Sequence, residues 1–593
     1  MPSPRSLLFL ASYLLPLITP ASSLHTSDRY QKRNATGSTT YFGVSSAEHE
    51  EKSTALKSSG YRPLSLSLYG SPSDLKYAAV WTPNEGALPF ETIHSANKTT
   101  FDSWIESWKA RGYVSTQVSA IGPAENASYA GVMEQREVSN WIQECDLDNP
   151  FALQNITGGQ FDLLMKAVSM YGTPENPRYC LLAYENTEHE RQYAYYPSTT
   201  FSYNYTEAYT TQLLNRYWRP IFLDVFVDGR ISSLFGDTTI GKWASEVDLS
   251  ESQLVSQIKE QDKNGLSPIL LQGGGSPSNI RYAVIFAERT SPVPRSWSAS
   301  GAVTGFVDNE GTTTAFDNVM QSFMKANGVR QAQVAVAING TVIAERAYTW
   351  AEPDRAVVQP NDKFLLASVS KMFCHAAVHS LITSGLLNTS TLVFPLLGIT
   401  PADSRANDIT VEHLLFHRAG YDRDMSIDLG VIFTLVAQSN NSSSPATLRD
   451  VIDWVAARPL DFTPGAREAY SNFGTMLLSY VITNLTGLAY EDYLRENVLH
   501  DEYDADLYAT EGSKHVADSI VQETAFVGTD ALHPASSAQV PAIYGGDGAI
   551  KEEAIGAYGL RASASTIARF IGKHGMHRPL EFSSVHLSLI LTM

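Results

Sequence analysis

Phe364-Leu365-Leu366-Ala367-Ser368-Val369-Ser370-Lys371-Met372-Phe373-Cys374-His375-Ala376-Ala377 is the stretch around which the chain is organised. It reads as a mostly apolar helix with Ser368 at its mouth. Lys371 follows three residues on, so the two side chains share one face, a turn apart. A serine is a weak nucleophile until a neighbouring base takes its proton, and a buried lysine held neutral does that. The helix N-terminus disfavours an ammonium and offers free N–H groups to an oxyanion. The pattern predicts the nucleophile helix of a serine hydrolase. Ser-x-x-Lys is common in this chain, recurring at Ser73/Lys76, Ser95/Lys98, Ser256/Lys259 and Ser322/Lys325. Only Ser368/Lys371 sits in an apolar helix, where an unpaired lysine is costly without a purpose.

With 593 residues the chain is too long for one core, and its length suggests about four domain-sized units. Hydrophobic residues make up 43 % and charged residues 18 %, a globular composition that argues against wholesale disorder. Lys and Arg number 43 against 62 Asp and Glu, a formal charge of −19 that repels a phosphate backbone; no nucleic-acid partner is expected.

Arg5, the apolar run from Leu7 to Ile18 and Ala21-Ser22-Ser23 predict a secretory signal peptide over residues 1–23. The run is short and broken by Pro16, and no later segment reaches about twenty apolar residues, so no membrane partner is expected. Ten Asn-x-Ser/Thr sequons, at Asn34, Asn97, Asn126, Asn155, Asn204, Asn339, Asn388, Asn440, Asn441 and Asn484, agree with a secreted, extracellular glycoprotein. Cys145, Cys180 and Cys374 are too few for a disulfide scaffold; the expectation is a Cys145–Cys180 bridge and a buried free thiol at Cys374.

Residues 24–57 are polar, include Lys32-Arg33 and read as a solvated leader. From residue 58 to about 305 the chain repeats itself in about five units. Tyr61 to Gly70 alternates apolar and polar residues as a half-buried strand does, and a turn leads to a second strand, Tyr77 to Trp81. The figure returns with Tyr129, Tyr179, Phe235 and Tyr282 as markers, separated by 52, 50, 56 and 47 residues. Helical spacing appears at Phe101, Trp104, Ile105 and Trp108 and again at Phe161, Leu164, Met165 and Val168. A unit of two strands and one helix cannot bury its apolar face alone, so the aromatic stripes are expected to form a core between stacked units. Gly273-Gly274-Gly275 lacks a following Lys-Ser/Thr and reads as a turn.

The second half begins near residue 306. Gln333 to Ala344 is a hairpin with an Asn339-Gly340 turn. Further on, Tyr470 and Asn472 stand at a loop opening a helix. A phenol near Lys371 is expected to have its pKa lowered and to shuttle the proton to a leaving amine; the Asn472 amide can bind a substrate carbonyl or hold the lysine. His375 and His379 are spaced like a metal pair but have no third ligand, and no metal or cofactor is expected. His413 and His417 are assigned to structure, away from the motifs.

These landmarks, in order, resemble the β-lactamase-related serine hydrolases: the hairpin, Ser368-Val369-Ser370-Lys371, Ile409 to Gly420, Pro464-Gly465 with Tyr470-Ser471-Asn472, and Tyr558 to Phe570. The resemblance implies an α+β, penicillin-binding-protein-like catalytic domain over residues 306–593. It makes Ser368 the nucleophile, Lys371 and Tyr470 the shared base and acid, and Asn472 a substrate contact. Preceded by tandem repeats, the whole resembles the fungal polyglycine hydrolases, secreted endoproteases that cut Gly-Gly bonds in the linker of plant class IV chitinases. That likeness implies a protein substrate and leaves the oligomeric state open. The family's third motif, Lys/His-x-Gly on a strand, is imitated only by Lys573-His574-Gly575 directly after a helix, so the domain is expected to be shortened at its C-terminus. Another esterase or amidase of the superfamily, or a catalytically impaired binding protein, are the alternative expectations.

Overall fold

A computed structural model of the chain describes residues 37–153, 163–186, 193–196, 205, 209, 218–353, 355–499, 508–509, 527–541 and 545–574. The expected signal peptide, Lys32-Arg33, Asn34, Asn155, Asn204 and the tail from Met576 lie outside these residues.

The first unit is β1 (Thr39–Val44), α1 (Ser46–Ser58), β2 (Tyr61–Ser71) and β3 (Asp74–Pro83), an antiparallel sheet in the order β1-β3-β2. The leader therefore gives way at residue 39, not 58. Thr39 pairs with Trp81, and a capping box between Ser45 and Glu48 starts α1. Polar composition hid this helix, which buries only His49, Ser53 and Leu56.

The plan recurs in β4 (Phe90–Ala96), α2 (Lys98–Lys109), β5 (Val114–Ile121) and β6 (Ser128–Glu134). It recurs in β7 (Trp141–Leu147), β8 (Leu163–Thr173) and β9 (Asn176–Glu185), and in β10 (Tyr193–Tyr196), β11 (Arg219–Val225) and β12 (Ile231–Gly236). A fifth copy is β13 (Trp243–Leu249), α3 (Glu251–Lys263), β14 (Ser267–Ser276) and β15 (Asn279–Ala287). Each sheet has the strand order first-third-second, so a unit has three strands, not two. Leu164, Met165 and Val168, expected on a helix, lie in β8 instead. Both of its faces meet protein, and a continuous apolar run mimics helical spacing. Cys145 of β7 and Cys180 of β9 are disulfide-bonded, and Cys374 is a buried free thiol.

Strand register corrects the fourth marker. Tyr77, Tyr129, Tyr179 and Tyr282 face Leu68, Ala120, Met170 and Gly273, and the residue in that slot of the fourth hairpin is Ile231, opposite Val225. The markers at 77, 129, 179, 231 and 282 are then 52, 50, 52 and 51 residues apart. Phe235 instead faces Pro220, as Trp81 faces Pro63.

The second strands β2, β5, β8, β11 and β14 pack in turn against one another, and β14 packs back on β2. The units close a ring. One side-chain slot stitches it. Ser119 accepts from the Leu68 N–H at 2.9 Å, Ser169 from Ala120 at 2.9 Å, Asp224 from Met170 at 2.6 Å and Ser67 from Gly273 at 3.0 Å. Each of these acceptors is buried, so each bond replaces water that the ring excludes. Four of the five markers are tyrosines at most 1 % exposed, and they fill the spaces between units. Tyr69 and Tyr282 join their hydroxyls across the first and fifth units at 3.0 Å.

Beyond the ring, β16 (Ser296–Ser300), α4 (Asn309–Asn327), β17 (Gln331–Ile338) and β18 (Thr341–Ala351) repeat the same plan in the order β16-β18-β17. Because β16 pairs with β18, the second domain begins before residue 296, and the expected boundary at 305 falls inside it. A helical body follows, with α5 (Ser370–Thr383) and α6 (Asn472–Thr486) at its centre. The helix α7 (Ala564–His574) packs on β17 and β18.

Four charges, Glu352 buried and Asp237, Arg295 and Arg330 largely so, join ring to second domain. Arg295 reaches Glu352 at 3.0 Å and Asp237 at 3.2 Å; Arg330 reaches the same two carboxylates at 2.9 Å each. Burial raises the Glu352 carboxyl, but the Arg330 hydrogen bond and both arginine charges outweigh it and lower the pKa to about 2. Removing one partner strands the other charges in a dry site. Glu352→Ala is expected to cost about 3–5 kcal/mol in urea unfolding at pH 7. A folded pKa below the unfolded value means this stability is present above about pH 4.5 and fades as pH falls toward 2, so the wild-type advantage should shrink there.

Asp224 sits in a slot that holds serine in the first three units, Ser67, Ser119 and Ser169, and Gln272 in the fifth. Burial pushes its carboxyl up to about 7, against the opposing N–H groups of Met170 and Val225. An acid raised on folding loses stability as pH climbs from its unfolded value through 7. Asp224→Ser is therefore expected to raise stability by a few kcal/mol at about pH 8, with no gain below about pH 4, in paired denaturation curves.

Candidate active site

The chain before α5 turns sharply. Leu366 donates its N–H to the Leu560 carbonyl, and Ala367 takes a left-handed φ of 45°, a conformation a non-glycine residue adopts only where its surroundings impose it. A short 3-10 turn, Ala367–Val369, then feeds α5. Ser368 is exposed, while Lys371, one turn in, is 7 % exposed and lies behind it.

Tyr470 and Asn472 arrive from the N-terminus of α6, which Ser471 caps by accepting from Gly474 N–H. Ser368 Oγ and the Tyr470 hydroxyl are 2.5 Å apart, and Lys371 Nζ is 3.2 Å from Ser368 Oγ. Lys371 also donates to Asn472 Oδ1 at 2.8 Å and to the Ala557 carbonyl at 3.0 Å. The structure thus brings Ser368, Lys371, Tyr470 and Asn472 into one group. Two of the lysine's three partners can only accept. Once the amine is neutral, its two hydrogens serve those oxygens and its lone pair faces Ser368 Oγ.

Burial pushes the Lys371 amine down to about 8; the charges of Asp428 and Cys374 act the other way, and that of Arg423 adds to the fall. The phenol departs from expectation. Burial raises the Tyr470 pKa, and the Ser368 hydrogen bond and the Arg423 charge offset only part of the rise. At rest Tyr470 is a proton donor.

Three supporting residues carry no sequence signal. Asp428 accepts from Asn472 Nδ2 at 2.9 Å, which fixes the amide so that its oxygen faces Lys371. Gly430 comes so close that a side chain there would stand 2.7 Å from Asn472 Cβ. His417, expected away from the motifs, packs against the Tyr470 ring with centroids 4.7 Å apart and accepts from Ser471 N–H at 3.3 Å. Its helix period hides this, because His417 lies past the helix end at a positive φ of 52°. His413 accepts from Thr410 N–H in a capping box, and His375 is half-buried, its desolvated ring pushed down to a pKa of about 4. The other Ser-x-x-Lys lysines include Lys76 and Lys98, paired with Asp74 and Asp102 at the surface.

Residues 316–585 match the family model described as Beta-lactamase, and residues 35–84, 87–136 and 240–289 match that described as Polyglycine hydrolase-like, structural repeat. The chain thus joins a β-lactamase-related region to polyglycine hydrolase-like repeats. The three matched repeats are the first, second and fifth units of the ring; the third and fourth share their strand order. Among similar curated proteins, Protein flp of Staphylococcus aureus (strain MW2) is 25 % identical over 186 residues, 31 % of this chain and 35 % of that protein. Penicillin-binding protein 4* of Bacillus subtilis (strain 168) is 27 % identical over 168 residues, 28 % of this chain and 35 % of that protein. The chain thus spans about a third of the length of the curated relatives it matches. The octameric penicillin-binding protein homologue from Pyrococcus abyssi covers 44 % of this chain and 55 % of its own, at 19 % identity and a TM-score of 0.32.

A β-lactamase-related Ser368 activated by a neutral Lys371 should react faster as pH rises through about 8. Labelling by a fluorophosphonate is expected to be roughly tenfold slower at about pH 7 than on its alkaline plateau, and absent in Ser368→Ala. Mass mapping of the adduct checks the residue.

Proposed function

We propose that this protein is a secreted serine endopeptidase that cleaves Gly-Gly bonds in the polyglycine linker of plant class IV chitinases. The observation that carries the reading is the union, in one chain, of polyglycine hydrolase-like repeats with the Ser368–Lys371–Tyr470 triangle. The N-terminal sequence favours export. Of the sequon asparagines, Asn97, Asn126, Asn339, Asn388, Asn440, Asn441 and Asn484 are all exposed, as glycan attachment requires.

In this reading Ser368 Oγ attacks the glycine carbonyl carbon while Lys371 Nζ takes its proton. The oxyanion is stabilised at the mouth of α5. Lys371 and Tyr470 return a proton to the leaving amine, the C–N bond breaks, and an acyl-enzyme remains on Ser368. Water, deprotonated by the same pair, then releases the acid. An exposed Ser368 suits a flexible linker that reaches the enzyme as open chain, and glycine presents little but backbone. The ring would dock the chitinase beside the site.

Incubation with intact class IV chitinase, a polyglycine peptide, a p-nitrophenyl ester and a β-lactam tests the proposal by mass spectrometry and absorbance. The expected result is cleavage between glycines of the linker, reduced by on the order of 10³-fold or more in Ser368→Ala. Turnover of ester or β-lactam with an intact linker would replace it with another hydrolase of the superfamily.

A further inference from the structure

The loop between Gly420 and Gly430 brings two opposite charges to the triangle. Asp428 grips Asn472, as described above. Arg423 places its guanidinium carbon 4.7 Å from the centroid of the Tyr470 ring, the ring that Lys371 Nζ approaches at 4.9 Å. Neighbouring arginines are tied down: Arg418 donates to the Gly465 carbonyl, and Arg467 pairs with Asp422 at 2.5 Å. Among the described residues Arg423 has no carboxylate partner, so the charge it brings to the phenol is not neutralised locally.

We propose that Arg423 is a positioning residue that sets how readily the Lys371–Tyr470 pair gives up the one proton it must lose before taking that of Ser368. The inference rests on Ser368 being a nucleophile and on no particular substrate. The physical reason is repulsion. A fixed cation beside both groups disfavours their fully protonated state, whichever of the two releases the proton. When Ser368 Oγ then bonds to a carbonyl carbon, its proton moves onto the pair and the electron pair of the C=O bond moves onto oxygen, so no other reactant is required. Asp428 pulls the opposite way, and one loop therefore balances the pair from two sides. Other groups facing the pair are silent near neutrality: burial holds His375 and His417 near 4 and pushes the Cys374 thiol up to about 12.

The test uses the full chain as wild type, Arg423→Met, Arg423→Lys and Ser368→Ala. Fluorophosphonate labelling and p-nitrophenyl acetate hydrolysis are followed from about pH 5 to 10, at low and high salt. Arg423→Met is expected to move the rising limb to higher pH by about half to one unit, a three- to tenfold loss on that limb that shrinks as pH rises. Arg423→Lys should restore the wild-type limb. High salt should shift the wild type upward more than the methionine variant, because the charge is exposed. An unmoved limb, or a loss equal at every pH that lysine does not rescue, would overturn the role. Labelling of Ser368→Ala at the wild-type rate would instead sink the nucleophile assignment itself, and the two failures are separate readings.

Discussion

Withdrawal of one amine from water is the condition on which this site depends. Lys371 is buried between α5 and α6, held by the Asn472 and Ala557 oxygens and pointed at Ser368. An ammonium there loses hydration that the two acceptors replace only in part, and its proton is correspondingly easier to lose. The same burial works against Tyr470, whose ionised form is the charged one. Desolvation therefore splits the pair into an amine that can be emptied and a phenol that stays full. Base and acid come from one physical cause acting on groups of opposite charge type.

The ring solves a different problem with equal economy of means. Innermost strands leave N–H groups facing protein, and in four of the five units one short polar side chain meets the neighbour's backbone. Serine suffices because it is small and neutral. Asp224 makes the shortest of these bonds, yet its carboxyl is driven toward neutrality by its surroundings. The slot selects for an acceptor, and charge is incidental to it.

Much of this was legible in the residues. Tyrosine markers and turn glycines exposed the repeat because they occupy tight inter-unit positions that few side chains fill. Ser368, Lys371, Tyr470 and Asn472 stood out through short spacings on helix ends, where geometry is local. What escaped reading was set by tertiary contact. Ile231 is an ordinary apolar residue, recognisable as a marker only through its pairing with Val225. The strand holding Leu164 to Val168 copies a helical period because both its faces are covered. The edge strand Thr39–Val44 has no meaning until β3 is beside it. Asp428, Arg423 and His417 lie in loops, whose side chains obey no period, and the direction of the Tyr470 shift depends on burial that no spacing reveals.

Closure of the ring has a consequence for biosynthesis. Ser65 and Ser67 bond to Leu271 and Gly273, partners 206 residues further along. At roughly 5–20 residues per second, a ribosome takes about 10–40 s to make that span. During this interval the side of the first unit that meets the fifth, where Ser65 and Ser67 bond to Leu271 and Gly273, waits without its partner. A side left open in this way is the kind of surface on which nascent chains cross-pair with one another. Completion of the fifth unit, rather than folding of the first, is then the moment at which the nascent domain becomes safe from its neighbours.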